Sequence, residues 1–409
     1  MVICTKPSSL LSCMLAGFLL ALTLTACDQA EKPKPAPPAG SLVFGDEGNE
    51  SGNAILTLPD GNLLLIGGIQ DAGSRDWDIL LIKTDPSGNE LTRTTIGEPD
   101  RNEIIRSAKP SANGGYLLAG HAKESDSKEY YGLLLRIDDN LQVQQSYDFL
   151  LVTYNNPYGY DGARFAAHAQ VFEMADQGYV FTSMQESYEN VVRLSPAGVV
   201  ESNAFTTNST YSYSTNYAPR NYFQDAAGDL YRVEILIDYT YTAPECKLTK
   251  YRINGSQDYS TQFSLDSGYV DYNFANFGGV CLLENGNFLG TYNYINGNQY
   301  LFEATLAGSL VWNKSINASA AYYELSEGAD GNLYLTGSPN DYNYSNGIDK
   351  NVAIASFDST GGGFRRKTFG GSQHDWPNGM AYLGTGKVAV IGTTQSYGAG
   401  GSDMFLTFN

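Results

Sequence analysis

From residue 41 onward one unit recurs: an apolar strand, a Gly turn, a second apolar strand, a variable loop, a third strand ending in a turn, and a fourth strand. The first copy is the clearest. "NAILTLPDGNLLLIGGI" gives two strands around Asp60-Gly61, a hairpin signal, and "DWDILLIKTDPSGNELTRTTIG" gives two more around Asp85-Pro86-Ser87-Gly88. The first turn returns at Asn113-Gly114, Gln177-Gly178, Ala227-Gly228, Asn285-Gly286, Asp330-Gly331 and Thr385-Gly386, about 45 to 65 residues apart. The second returns in "RIDDNLQV", "RLSPAGVV", "YRINGSQDY", "ATLAGSLVW" and "SFDSTGGGF".

That period is the length of one four-stranded propeller blade. The expected fold is therefore all-β: a single seven-bladed β-propeller of four-stranded antiparallel blades. Six copies are complete. The seventh has "GMAYLGTGKVAVIGTT" and "SDMFLTFN", with strand alternation running to the last residue and no fourth strand after it. "SLVFGDEGNES" at residues 41 to 51 resembles "RRKTFGGSQHD", which carries the sixth blade's fourth strand, so residues 41–45 are expected to pair with the C-terminal blade and close the ring. The units resemble those of secreted bacterial β-propeller proteins, with "DGNLLLIGG…DWDILLIKTDPSGNELTRTTIG" and "DGNLYLTGS…KNVAIASFDSTGGGFRRKTFGG" the nearest matches. Blades three to five depart most, with Gln177 in place of a turn Gly and Tyr-rich insertions. The resemblance implies an architecture and no reaction.

Ahead of the repeat, "LLSCMLAGFLLALTLTA" is an apolar core preceded by Lys6, too short for a convincing membrane span. Leu24-Thr25-Ala26-Cys27 resembles the lipobox of bacterial lipoproteins. The resemblance implies a signal peptide at 1–26 and lipidation of Cys27 by palmitate-type acyl chains, a membrane anchor stronger than one chain would give. Residues 27–40, with "DQAEKPKPAPPAG", form a Pro-rich tether that favours an extended spacer. Asp28 resembles the inner-membrane retention signal of enterobacterial lipoproteins, while sorting rules differ between bacterial groups, so inner and outer membrane both stay open. The expected address is the cell envelope.

The formal charge is −19, and removing residues 1–26 takes away one Lys and no acid, giving −20. Nucleic acid is excluded as a partner, because phosphate binding needs the Lys and Arg clusters that this chain lacks. A glycan, a peptide or an envelope protein remains.

In a propeller the loops between second and third strands, and those between blades, gather on one face around the central channel. Here they carry the unusual residues. Tyr239 with Tyr241, Tyr292 with Tyr294 and Tyr342 with Tyr344 follow the second strands of blades four, five and six. Rings two residues apart share a side of an extended segment, and Tyr among Ser, Gly and Asn suits binding loops, so these six are the candidate ligand-binding residues, with covering of blade edges as the plainer reading. Asp78, Asp349 and Asp403 precede third strands, where a carboxylate can accept backbone N–H groups. Asp46, Glu50, Asp100, Glu103 and Asp375 fall near the channel mouth; oxygen ligands there could hold Ca²⁺, yet no spacing matches a Ca²⁺ loop, and neither metal nor other cofactor is expected.

No catalytic residue is assigned. The three His are His121, His168 and His374, and there is no nucleophile elbow, zinc-binding His pair or phosphate loop. His374 beside Asp375 is the best acid/base candidate. Cys246 and Cys281 remain after the signal and Cys27, in adjacent blades; a disulfide and two free thiols are both open. The functional expectation is a non-enzymatic binding or scaffold module acting through the Tyr/Asn-rich loop face, with a carbohydrate-active hydrolase or lyase using acids at the channel mouth as the alternative. A scaffold would resemble the propeller lipoprotein of the outer-membrane protein insertion machinery in anchor and architecture alone.

Overall fold

The computed structural model describes residues 34–125, 127, 129–153, 168–185, 188–207, 221–236, 244–252, 256–265, 275–294, 299–316, 320–339, 351–384 and 386–409. The unit Ala36–Asn409 carries every strand among them. A short strand β1 (Ser41–Phe44) comes first. Blade one is β2 (Asn49–Thr57), β3 (Leu63–Gln70), β4 (Asp78–Thr84) and β5 (Glu90–Ile96); blade two is β6 (Arg101–Pro110), β7 (Tyr116–Glu124), β8 (Glu129–Ile137) and β9 (Val143–Thr153). Blade three is β10 (His168–Glu173), β11 (Tyr179–Gln185), β12 (Tyr188–Leu194) and β13 (Val200–Thr207); blade four is β14 (Tyr222–Gln224), β15 (Leu230–Leu236), β16 (Glu245–Tyr251) and β17 (Gln257–Ser264). Blade five is β18 (Ala275–Leu282), β19 (Phe288–Tyr294), β20 (Gln299–Ala304) and β21 (Leu310–Ser315); blade six is β22 (Ala320–Glu327), β23 (Leu333–Pro339), β24 (Val352–Phe357) and β25 (Arg365–Phe369). Blade seven is β26 (Asp375–Gly384), β27 (Lys387–Thr394) and β28 (Asp403–Phe408), with β1 as its fourth strand.

The seven four-stranded antiparallel sheets form a ring, a seven-bladed propeller. Seven apolar clusters show why the ring holds, since each lies at one junction between neighbouring blades. Leu64, Ile66, Ile79 and Leu81 of blade one meet Leu118, Leu133 and Leu135 of blade two. At the closing junction Phe44, Ile391, Met404 and Leu406 of blade seven meet Ile55, Leu65, Leu80 and Ile82 of blade one. Inner strands are buried on both faces, as in the run Leu63–Gly68, whereas fourth strands such as β5 and β17 lie largely exposed at the rim. An unbroken apolar run in the middle of a blade and a polar one at its rim follow from that placement.

Closure matches the expected seam with one adjustment. β1 pairs antiparallel with β28, Ser41 opposite Thr407 and Phe44 opposite Met404, so the strand ends at Phe44 and Gly45 turns away from the ladder. The turn chemistry is also as expected: Gly61, Gly114, Gly228, Gly286, Gly331 and Gly386 adopt positive φ. Gln177, which stands in the turn position of blade three, takes the left-handed conformation itself at φ 65°.

One shared feature has no counterpart in the sequence reading. The first strands of blades one, two, five, six and seven all carry a register shift at one place: Gly52/Ala54, Ile105/Ser107, Phe277/Gly279, Tyr322/Glu324 and Pro377/Gly379. Each is a β-bulge, in which one extra residue leaves the ladder. The extra residues are Asn53, Arg106, Gly278, Tyr323 and Asn378.

Because β1 contributes both a ladder and the buried Phe44 to the closing junction, deleting residues 41–46 is expected to lower the melting temperature of the whole domain steeply, while deleting 28–37 leaves it unchanged. Phe44→Ala alone should cost roughly 3 kcal/mol, the usual cost of truncating a buried Phe. Equal melting of both truncations and the wild type would contradict the seam.

Candidate functional site

One trio of residues repeats at three blade junctions. A polar residue stands at the start of a third strand, a Gly follows the neighbouring fourth strand, and an acid sits in the first strand of the next blade. At the closing junction the trio is Asp403, Gly45 and Glu50; between blades one and two it is Asp78, Gly97 and Glu103; between blades six and seven it is Asn351, Gly370 and Asp375. The Gly is required by the polar group packed on its α-carbon. A Cβ on Gly45 would fall 2.2 Å from Oδ1 of Asp403 and 2.4 Å from Oε2 of Glu50, and one on Gly97 would fall 2.0 Å from Oδ1 of Asp78. In blade six the position belongs to Asn351 and not to Asp349, which lies outside the described residues.

Glu50, Glu103 and Asp375 share one register, each two residues ahead of the ladder residue that precedes its bulge; Ala275 and Ala320 hold that place in blades five and six. The three acids differ in how they are satisfied. Asp375 accepts from the N–H of Gly371 at 2.9 Å, from the Ser396 hydroxyl at 2.9 Å and from the Thr394 hydroxyl. Glu103 has Nε of Arg101 at 3.4 Å from Oε1, while its Oε2 is buried without a partner. Glu50 is fully buried, and neither carboxylate oxygen completes a hydrogen bond. Burial pushes the Glu50 carboxyl up to about 7, with Asp403 and Asp46 adding repulsion. Burial likewise pushes Glu103 up to about 7, against the opposing pull of Arg101. Asp78 is raised by burial and by Asp71 and Asp76.

The remaining mouth candidates are turn-formers. Asp46 accepts the N–H of Gly48 at 3.2 Å. Asp100 sits at φ 61° in the loop before β6, its carbonyl accepting from the N–H of Ser125 at 2.9 Å. Asp403 accepts the N–H of Ala399 at 3.2 Å, the role expected of a carboxylate ahead of a third strand.

His121 is buried in β7, edge-on to Phe181, and burial pushes its imidazole down to about 3, with Arg106 adding to the effect. His374 stacks on Trp376 with centroids 5.4 Å apart, and the oxygens of its neighbour Asp375 are occupied as above. His168 opens β10. Cys246 in β16 and Cys281 in β18 are free thiols, both raised by burial.

The tyrosine platform needs correction at its central member. Tyr292 has no exposed surface: it stacks on Tyr300 with centroids 5.0 Å apart and an interplanar angle of 10°, and its hydroxyl accepts from Nδ2 of Asn313 at 2.8 Å. The ring is core, because its position in β19 turns it into the junction that holds Phe288 and Phe302. Tyr294 ends the same strand, and Tyr239, Tyr241, Tyr342 and Tyr344 lie outside the described residues, as does Cys27.

Sequence reasoning missed the bulge residues. A bulged residue is left out of the ladder with its partner strand, so its direction does not follow the alternation of the strand. Nδ2 of Asn378 donates to the carbonyl of Gly52 at 2.7 Å, so the bulge of blade seven touches that of blade one. Arg106 is half-buried, its Nε is buried without a partner, and the guanidinium makes no ion pair. Burial lowers it only to about 10, so it stays charged at neutral pH. Other buried arginines are paired: Arg193 with Asp176, and Arg232 with Glu189 and with Glu234 at 2.9 Å. Asn53, the equivalent residue of blade one, also buries an unpartnered amide nitrogen.

No protein-family model matches the chain, and no curated protein matches it. Among solved structures it is similar to a protein of unknown function from Dyadobacter fermentans, at 10% identity over 91% of this chain and 98% of that one, with a TM-score of 0.48. It is also similar to YCF48 bound to D1 peptide, at 9% identity over 91% and 99% with a TM-score of 0.46, and to the Dos1 propeller, at 9% over 87% and 81% with a TM-score of 0.43. Likeness at this level says nothing of function.

Glu50 and Glu103 make stability depend on pH with a defined sign. Their folded pKa values lie above the unfolded value of 4.5, so the folded chain holds protons that the unfolded chain has released, and their contribution is present below about pH 4.5 and lost as the pH rises through about 7. In chelator, the wild type should lose several degrees of melting temperature between pH 5.5 and 8.5 relative to a Glu50→Gln, Glu103→Gln double variant. Parallel profiles would contradict the assignment.

Proposed function

We propose that the chain is an envelope-anchored propeller lipoprotein, tethered through acylated Cys27, that binds a ligand at the loop face and channel mouth and does not transform it. The observation that carries this reading is the contrast between the mouth acids and Arg106. Glu50, Asp403 and Asp375 are fully buried, and Glu103 nearly so, which closes these four carboxylates to a polysaccharide. Arg106 is half-buried and charged beside His121, and among the described residues it makes no ion pair.

A half-buried guanidinium without an ion pair suits a carboxylate or phosphate on the ligand. The ligand class that fits is an acidic glycan or an acidic peptide segment of an envelope protein. The loop tyrosines Tyr239, Tyr241, Tyr294, Tyr342 and Tyr344 would widen the contact on the same face. The carbohydrate-active alternative rests on Glu103, whose raised pKa is that of a general acid; it requires the mouth to open.

The test is a binding screen of the full chain against neutral and acidic glycans and envelope extract, repeated with Arg106→Met. Acidic ligands should bind the wild type and lose at least about tenfold in affinity with the variant, since a hydrogen bond to a charged group contributes roughly 1.5–3 kcal/mol. Melting should stay level or rise, because the variant removes a buried unpaired charge. Turnover of a polysaccharide, or acidic-ligand affinity unchanged by Arg106→Met, would overturn the reading.

A further inference from the structure

The three junction trios place the same atoms together and compensate them differently. At the junction of blades six and seven Asp375 faces the amide Asn351 and takes three hydrogen bonds. At the junction of blades one and two Glu103 has the guanidinium of Arg101 at 3.4 Å. At the closing junction Glu50 faces another acid, Asp403, and has neither compensation.

The geometry there is tight. Oδ1 of Asp403 and Oε2 of Glu50 lie 2.2 Å and 2.4 Å from the single point that a Cβ on Gly45 would occupy, so the two oxygens are at most about 4.6 Å apart. Both residues have zero exposure, and both oxygens of Glu50 lack a hydrogen-bond partner. Burial and the carboxylates of Asp403 and Asp46 oppose ionised Glu50, against the weaker pull of the Asp46 N–H and Arg93. Arg93 is itself paired with Glu90 at 2.9 Å.

Two buried carboxyl groups at this separation need a positive charge between them, either a proton or a metal ion. The site's oxygens fit the second. Oxygens bound to one Ca²⁺ at about 2.3–2.6 Å can be up to about 5 Å apart, and Ca²⁺ accepts irregular sets that mix carboxylates with backbone carbonyls. The loops that cross at the junction are rich in Gly and pack backbone on backbone: the carbonyls of Gly48 and Asp46 lie 1.9 and 2.9 Å from where a Cβ on Gly400 would sit. Among the described residues no group of three or more His, Cys, Asp or Glu converges in metal-binding geometry, so the side-chain ligands number two.

We propose that Glu50 and Asp403 hold a Ca²⁺ ion at the closing junction, completed by backbone oxygens of the loops 45–48 and 398–401. The ion ties β28 of blade seven to β2 of blade one beside the β1 seam, so it acts on ring closure and is independent of what the loop face binds. Sequence spacing alone does not show the site, because its two carboxylates stand 353 residues apart and meet through closure.

The test is the melting temperature of the full chain at pH 8, first in chelator and then with CaCl₂ or MgCl₂ in excess. Ca²⁺ should raise the wild-type value by several degrees and saturate, with Mg²⁺ giving less. Glu50→Gln and Asp403→Asn should each abolish the response, and Glu50→Gln in chelator should melt above the wild type in chelator, which also shows that the variant folds. Glu90→Gln, at the exposed rim, should respond as the wild type does. A wild type indifferent to Ca²⁺ would overturn the proposal and leave the proton as the bridge; a response that survives Glu50→Gln would overturn it in favour of diffuse binding to the acidic surface.

Discussion

The antiparallel pairing of β1 with β28 is the interaction on which the rest depends. An array of seven blades has two ends, and each end exposes an apolar blade face and a sheet edge. Completing the last blade with the first strand removes both, and it does so by a contact between residues more than 360 apart. Every other blade packs by local hairpins on its neighbour in sequence. The seventh junction is the one that must be found across the chain, and its core, with Phe44, Met404 and Leu406 against Leu65 and Ile82, is as apolar as the other six.

Closure also governs the chemistry of the channel mouth. At three junctions a Gly follows the fourth strand so that the polar residue of the adjacent third strand can press on the backbone, and the next first strand adds an acid. Around the ring this device is compensated by hydrogen bonds at Asp375 and by a guanidinium at Glu103. At the seam it is left as two acids. The mouth is therefore a structural girdle whose carboxylates face the protein.

Much of the fold was legible from residues alone. Asp-Gly and Asn-Gly turns at a near-constant spacing, with apolar alternation between them, determine blade number, strand order and the closing strand because those signals are local and their period is physical. The site was legible only in outline. A period of two predicts a shared side for Tyr292 and Tyr294 without saying which side faces the neighbouring blade, and Tyr292 turns into the core. Arg106 passed unnoticed because a bulge adds one residue without altering composition, and its effect on direction appears only in the ladder register. Asn351 went unread because an amide lacks the charge that marks Asp78 and Asp403, although it packs on Gly370 as they pack on Gly97 and Gly45.

Hydrogen exchange tests the closure most directly. If β1 is an integral blade strand, the amides of residues 41–44 and those of β28 should exchange only with global unfolding, at the rate of β3 in the middle of blade one. Exchange of residues 41–44 within seconds to minutes, while β3 stays protected, would show β1 to be a frayed terminus and the ring to be held without it.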